Sequence, residues 1–211
     1  MSTVVAFFDF DGTLTNADSL LPFIRMVRGT PRFMLDVLAV SPQLVAYALR
    51  RMRNDVAKEA LLRQAFGGLS IEVLQQWGGE FAKLTIPGML RNDMLVRLHE
   101  HQAQGHCCVL VSASLDVYLE PWARDIGFDH CIASSLDVTV SGTVTGKLVG
   151  GNCHGKEKVR RIRLLLEEIG VPRRTYGYGN SRGDLPMLTF VNQGFLVKRT
   201  CLELVGSKTA C

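Results

Sequence analysis

Asp9 and Asp11 stand two positions apart at the end of the apolar run in AFFDFDGTLT, residues 6–15, and Gly12-Thr13 follows at once. In an extended strand, positions i and i+2 point to the same side, so the two carboxylates face one place while Phe8 and Phe10 face the other. Two like charges a few ångströms apart repel unless a cation lies between them or one is protonated. A hard, oxygen-liganding ion such as Mg2+ removes that penalty and usually brings a phosphate with it. Gly12 permits a tight turn, and Thr13 adds a hydroxyl and an amide where anionic oxygens would rest. The competing reading is an Asp-Gly turn that merely closes a strand.

Three later stretches bear on the same chemistry. CVLVSAS, residues 108–114, ends in Ser112-Ala113-Ser114, small hydroxyls and free amides that suit a phosphoryl oxygen and serve equally well as a helix cap. CHGKEKVRRI, residues 153–162, puts Lys158 in the first turn of a helix, against the dipole, where it is either an anion's partner or a surface lysine. YGYGNSRGDLPML, residues 176–188, ends a strand at Asn180 with Asp184 four residues on. Those two side chains offer oxygens to complete a cation's shell, with helix capping as the alternative for Asp184.

The elements that must position these residues follow from hydrophobic pattern. Apolar runs bounded by turn residues predict strands at about 3–8, 106–111, 129–134, 174–179 and 194–198. Helical periodicity fills 94–104, 116–127 and 158–170 between them, the alternation of an α/β chain with a parallel sheet and right-handed crossovers. Residues 136–148 alternate β-branched side chains about Ser141-Gly142 and predict a β-hairpin. In an open parallel sheet, ligands bind beyond the carboxyl ends of the strands, where the acidic pair falls.

The first strand leads instead into about seventy residues, 16–86, of purely helical pattern. Asn54 and Ser70 are expected N-caps there, and Gly67-Gly68 an expected stop. This segment reads as a separate helical cap domain of residues 16–86, leaving 1–15 and 87–211 as the core. Its nine Lys/Arg against six Asp/Glu hold most of the chain's positive balance.

Composition narrows the possibilities. The 211 residues are 47% hydrophobic and 21% charged, an ordinary globular proportion with a sizeable core. A net charge of +4 without a run of five like charges argues against nucleic acid as partner, yet suits a small anionic substrate. The six cysteines show no CxxC pair, which predicts free thiols and a cytoplasmic protein. No basic segment precedes the first apolar stretch, so no signal peptide is expected. The longest apolar region, residues 33–49, is broken by Asp36 and Pro42 and falls short of a membrane span. Oligomeric state is not legible.

Taken in order, DFDGT, SAS, the glycine and lysine of GKEK, and GNSRGD resemble the haloacid dehalogenase-like superfamily of aspartate-dependent phosphohydrolases, with a Rossmann-like core. The insert after the first strand resembles that superfamily's type 1 cap, and the branch is similar to the phosphoserine phosphatases (subfamily IB). The resemblance implies a Mg2+-dependent phosphatase in which Asp9 is the nucleophile that becomes an aspartyl-phosphate. It implies Asp11 as acid and then base, Thr13, Ser112 and Ala113 at phosphoryl oxygens, and Lys158 as the neutralising cation. Mg2+ would rest on Asp9, the carbonyl of Asp11 and the loop of Asn180 and Asp184. Where the family commonly has Gly-Asp, this chain has Gly179-Asn180, an uncharged ligand, so whether Asn180 or Asp184 meets the ion stays open.

Asp18 falls where the phosphoserine phosphatases resembled here carry an acid for the substrate's amino group, which implies a phosphoserine-like small phosphometabolite. No cap arginine is assignable to a substrate carboxylate, and the stretch Lys58–Arg63 fits only loosely. The apolar segments 33–40 and 43–49, flanked by Arg32 and Arg50-Arg51-Arg53, would also suit peripheral contact with an anionic bilayer. A similar layout in bacterial phosphatidylglycerophosphate phosphatases makes a phospholipid head group the alternative substrate. Packing inside the cap is the expected fate of those segments. A weakly catalytic regulator that binds a phospho-ligand is the alternative outside enzymes. His99, His101, Arg160, Arg161 and Arg163 are expected on solvated helix faces, His154 in a loop, and Trp77 and Trp122 in packing.

Overall fold

A computed structural model of the chain describes residues 4–49, 51–198 and 201–205. Thr3, Arg50 and Cys211 lie outside the described residues. The strands are β1 (Val4–Phe8), β2 (Cys107–Leu115), β3 (His130–Ser134), β4 (Leu136–Val138), β5 (Val144–Leu148), β6 (Arg174–Gly179), β7 (Gln193–Val197) and β8 (Leu202–Val205). Six of them form one sheet in the order β3-β2-β1-β6-β7-β8, all parallel neighbours except the antiparallel pair β7 and β8. The fold is therefore α/β with a mostly parallel sheet, and β4 and β5 form the separate hairpin that their sequence predicts. The edge strand β8 had no counterpart in the sequence reading, because four residues supply too little alternation.

β1 is central and buried on both sides, as its unbroken apolar run demands. Ala6 and Phe8 face one hydrophobic cluster, joined by Phe10, while Val5 and Phe7 face another under the helices that follow β5 and β6. The two-residue alternation thus persists past the end of the strand.

The helices are α1 (Leu20–Arg28), α2 (Thr30–Ala39), α3 (Ser41–Ala48), α4 (Asn54–Phe66), α5 (Ile71–Leu84), α6 (Asn92–Ala103), α7 (Asp116–Ile126), α8 (Lys156–Ile169) and α9 (Leu185–Phe190). Six of them lie between the first two strands, and α1 to α5 fall within residues 16–86. The two chain connections of that segment lie side by side. Asn16 N donates to Met89 O at 2.8 Å and Arg91 N to Leu14 O at 2.8 Å.

Part of the insert shares the main hydrophobic cluster. Phe23 of α1 meets Phe66 of α4, Phe81 of α5 and Tyr118 of α7 at ring separations of 5.6, 5.3 and 4.8 Å. Each such aromatic pair contributes about 0.5–1.5 kcal/mol beyond its buried area. Backbone bonds tie the α4–α5 turn to the hairpin: Gly68 N to Val144 O at 3.0 Å, Val144 N to Leu69 O at 2.9 Å and Ile71 N to Gly142 O at 2.9 Å. Gly146, at φ +82°, lets β5 lie against α4, since a Cβ there would stand 2.3 Å from Arg63 Cα.

Several expectations are corrected. Residues 33–40 and 43–49 pack inside the insert only in part: Val40 between the two helices is buried and Phe33 and Leu44 pack against the main cluster, but within the helices α2 buries only Asp36 and α3 buries nothing. Asp36 instead bonds Arg28 at 2.8 Å and Gln64 at 2.9 Å, so a polar contact holds α2 down and turns its apolar side outward. Asn54 is the first residue of α4 rather than its cap, whereas Ser70 does cap α5 through Glu72 N. His101 is buried, with Nε2 2.9 Å from Tyr178 Oη and Nδ1 2.7 Å from His106 Nδ1. Burial pulls its pKa down to about 4. Arg161 is no solvated side chain either, because it donates to Ala133 O at 2.6 Å and Gly151 O at 2.8 Å. His99 and Arg160 are exposed and Trp122 is packed, as expected. Cys107, Cys108, Cys131, Cys153 and Cys201 are free thiols.

Candidate active site

β1 stops at Phe8, and residues 9–15 form a tight turn in which Gly12 takes φ +74°. Asp9 and Asp11 therefore sit beyond the strand, not within it. Asp9 N still donates to Tyr178 O at 2.9 Å, which keeps the first carboxylate in line with the sheet. Only glycine fits at position 12, because a Cβ there would meet the Asn180 side-chain nitrogen at 2.0 Å.

Lys158 lies beneath this turn, 1% exposed. Its ammonium contacts Asp9 Oδ1 at 2.5 Å, Asp184 Oδ1 at 2.7 Å and Val111 O at 2.9 Å, which uses all three of its protons. Two carboxylates outweigh the unfavourable end of the helix dipole, which explains a buried lysine in the first turn of α8. Burial opposes its charge, but Asp9 and Asp184 hold its pKa above the usual lysine value.

Each carboxylate has distinct partners. Burial raises Asp9 to about 7, with the charge of Lys158 opposing and those of Asp184 and Asp11 adding to the rise. Thr13 Oγ1 donates to Asp9 Oδ2 at 2.8 Å, so this buried hydroxyl is turned to the carboxylate rather than open to the cavity. Asp11 accepts from Ser19 N at 2.8 Å and from the Ser114 hydroxyl. Burial and then the charge of Asp18 raise it to about 6, and the bonds from Ser114 and Ser19 pull the other way. Asp184 receives Asn180 N, Ser181 N and Ser181 Oγ on Oδ2, at 3.2, 2.9 and 2.7 Å. Lys158 lowers Asp184's pKa against the cost of burial. It does not cap α9 with its side chain.

A cavity of about 640 Å³ gathers Asp9, Asp11, Asp18, Ser112, Ala113, Lys158, Asn180 and Asp184 on its walls. Thr13 supports it from below. Ser112 is buried within β2, where the pairing with β3 shifts register between Val111 and Leu115, and its hydroxyl accepts from Ser114 N at 3.0 Å. Residues that sequence reasoning left unassigned complete the walls. Lys58 of α4 donates to Ala113 O and to Asn152 Oδ1, the latter at 3.1 Å. Asn152 in turn donates to Asn54 at 2.5 Å, and Asn54 to Tyr47 Oη at 3.0 Å. Burial lowers Lys58 to about 8, with Asp11 and Asp18 resisting. His154 also lines the cavity. Ser114 had a signal, since it shares the face of Ser112 two residues away. Lys58 had only the loose fit of the stretch Lys58–Arg63 to a substrate carboxylate, because only packing brings α4 over the strand ends.

Asp9, Asp11 and Asp184 outnumber Lys158 at the floor. Thr13 Oγ1 lies 2.8 Å from Asp9 Oδ2 and 3.4 Å from Asn180 Oδ1, so those two oxygens flank one point beside Gly12. This hard, anionic set fits Mg2+ better than a nitrogen- or sulfur-liganded ion. No cluster of three His, Cys, Asp or Glu that could hold a metal occurs among the described residues. Asp184 is the most heavily engaged of the three carboxylates, with Lys158 on Oδ1 and Asn180 N, Ser181 N and Ser181 Oγ on Oδ2.

The chain is similar to several known proteins. The chain is 37% identical to Protein CicA of Caulobacter vibrioides over 188 residues, 88% of this chain and 82% of that one. A histidinol-phosphatase of Neisseria meningitidis is 25% identical over 90% of this chain and 87% of its own. A phosphoserine phosphatase of Mycobacterium tuberculosis is 29% identical over 90% of this chain and 63% of its own. A Bordetella pertussis protein of unknown function superposes with a TM-score of 0.76 at 26% identity, over 90% of this chain and 88% of that one. A substrate-bound phosphoserine phosphatase shares the fold at a TM-score of 0.63 and 16% identity, over 90% of this chain and 84% of that one. The family model for haloacid dehalogenase-like hydrolases matches residues 6–189. The chain belongs to the haloacid dehalogenase-like hydrolase family and is an enzyme of its phosphatase kind.

Proposed function

We propose that the chain hydrolyses phosphate monoesters of small amino alcohols through an aspartyl-phosphate on Asp9. The observation that carries this reading is the buried Lys158 bridging Asp9 and Asp184 at the floor of the cavity. A carboxylate oxygen of Asp9 attacks phosphorus as the ester P–O bond breaks, and Asp11 gives its proton to the leaving alcohol oxygen. Asp11, now a carboxylate, takes a proton from water, whose oxygen attacks the same phosphorus and returns Asp9 and inorganic phosphate. A pKa near 6 suits Asp11 to both roles. Ser112 and the Ala113 amide receive phosphoryl oxygens, and Thr13 orients Asp9 through its hydroxyl. Lys158 keeps Asp9 ionised and offsets the phosphate's charge.

Mg2+, held by Asp9, the Asp11 carbonyl and Asn180, would neutralise charge on the transferring group. Asp184 acts behind them by fixing Lys158 and the 180–181 turn. Phosphoserine and histidinol phosphate, the substrates implied by the names of two relatives, both carry an amine two carbons from the phosphate oxygen. Asp18 faces the cavity as a partner for such an amine, and Lys58 as a partner for an acidic substituent. Residues 16–86 serve as the cap over a core of 1–15 and 87–211. A reducing, cytoplasmic setting fits the free thiols.

Hydrolysis of p-nitrophenyl phosphate tests the chemistry: it should require Mg2+, stop with chelator, and vanish in Asp9→Asn with the fold intact. Retention of more than a trace of activity in Asp9→Asn would exclude the covalent route. A panel of phosphoserine, histidinol phosphate and lysophosphatidate then ranks substrates.

A further inference from the structure

The helices α2 and α3 present an apolar surface that the catalytic reading does not use. Met34, Leu35, Leu38, Val45 and Leu49 are 60%, 66%, 68%, 56% and 61% exposed. Single exposed leucines are ordinary, but five large apolar side chains on one short helix pair form a patch of the kind that marks an interaction site. The α1–α2 junction adds a groove of about 490 Å³ walled by Leu21, Pro22, Met26 and Phe33.

The charge around this patch is one-sided. From Ser19 to Arg53 the sequence holds six arginines, no lysine and a single carboxylate, Asp36. That carboxylate is buried and spent on Arg28. Arg25, Arg32 and Arg51 are exposed, with no carboxylate bonded to them among the described residues. The segment therefore offers apolar side chains to a nonpolar layer and arginines to anions at its edge.

We infer that the α2–α3 face of the insert is a docking surface for an anionic lipid bilayer. Apolar side chains inserted at the headgroup boundary, with arginines paired to lipid phosphates, are the physical requirements of an interfacial amphipathic element. A second copy of the chain fits less well, since a two-fold contact would oppose the same arginines. Docking concerns the outer side of the insert and does not depend on the reaction proposed for the cavity. The two are nevertheless adjacent: α3 carries Val45 outward, with Leu49 just past its end, and Leu44 and Tyr47 on the cavity wall. Docking therefore holds the cavity mouth near the membrane surface.

Flotation of the full chain with vesicles of phosphatidylglycerol and phosphatidylcholine tests this, alongside vesicles of phosphatidylcholine alone. The expected result is binding to the anionic vesicles only, weakening as salt rises. The triple variant Leu35→Ser, Leu38→Ser, Val45→Ser should bind at least about tenfold more weakly, as should Arg25→Glu with Arg32→Glu and Arg51→Glu. Because these positions are exposed, both variants should keep the wild-type melting temperature and hydrolysis of p-nitrophenyl phosphate, which separates docking from catalysis. Failure of the wild type to float with anionic vesicles overturns the proposal. So does binding that the serine variant leaves unchanged. Sedimentation showing a dimer that the serine variant dissociates, without vesicle binding, would assign the face to a second copy instead.

Discussion

Helices α4 and α5 and helices α2 and α3 belong to one insert and read alike in sequence, yet they have opposite fates. α4 buries Ala57, Leu61, Leu62, Ala65 and Phe66, and α5 buries Leu74, Gly78, Phe81 and Ala82. α2 buries one aspartate and α3 nothing. The first pair is fastened to the rest of the molecule at three places: the aromatic cluster with Tyr118, the backbone bonds to the β4–β5 hairpin, and Gly78 against Val117 O, where a Cβ would stand at 2.0 Å. The second pair is fastened through Asp36 and through Val40 between the helices, with Phe33 and Leu44 half-buried against the main cluster. Apolar periodicity thus reports that a helix has a greasy side, and says nothing about what that side meets.

The contrast also bears on movement over the cavity. Swinging residues 16–86 as one body about the paired connections would rupture the hairpin bonds and the aromatic cluster. Shifting α2 and α3 alone would break less: the Asp36 contacts, the Asn54–Tyr47 bond and the packing of Val40, Phe33 and Leu44. Opening for substrate and product is therefore expected at α2–α3, the part with the fewest buried contacts.

The strongest way to break the comparison is truncation in each half. Phe81→Ala should cost about 3–5 kcal/mol, whereas Leu38→Ala should stay within about 0.5 kcal/mol. Urea denaturation reads both, and equal losses would show that the two halves are supported alike. Next in size, Gly146→Ala forces both a strained φ and a clash with Arg63, and should cost about 1–3 kcal/mol. Its melting curve should fall while the apolar face of α2–α3 is undisturbed.

The smallest effect concerns the cation where α4 reaches the cavity. Lys58 is charged below about pH 8 and loses its proton as pH rises past that value. For a phosphomonoester bearing a carboxylate, KM should therefore rise several-fold above pH 8, with kcat changing less. Lys58→Arg, charged at all accessible pH, should flatten that rise. A wild-type KM that stays level to pH 10 would remove Lys58 from substrate recognition.

Local pattern was sufficient for the five parallel strands, the hairpin and all five helices of the insert, because period and turn residues act over a few neighbours. It was also sufficient to single out Asp9, Asp11, Ser112, Lys158 and Asp184, whose residue types are costly where they stand unless they meet one another. It failed at His101 and Arg161. Each lies on a helix with polar neighbours, and each is buried or engaged by groups distant in sequence: Tyr178 for the one, the carbonyls of residues 133 and 151 for the other.

What the sequence determined by itself is the order of strands and helices and the placing of acidic and basic groups at strand ends. Those follow from backbone preference, side-chain period and the electrostatic cost of unpaired charge. Only the tertiary structure decided the rest: that Asp184 spends its oxygens on Lys158 and Ser181 while Asn180 lies over Gly12, that Lys58 and Asn152 line the cavity, and that α2 turns Leu35 and Leu38 and α3 turns Val45 outward. These outcomes depend on which of several equally apolar or equally polar surfaces meet, and that is settled by shape and distance between segments far apart in the chain.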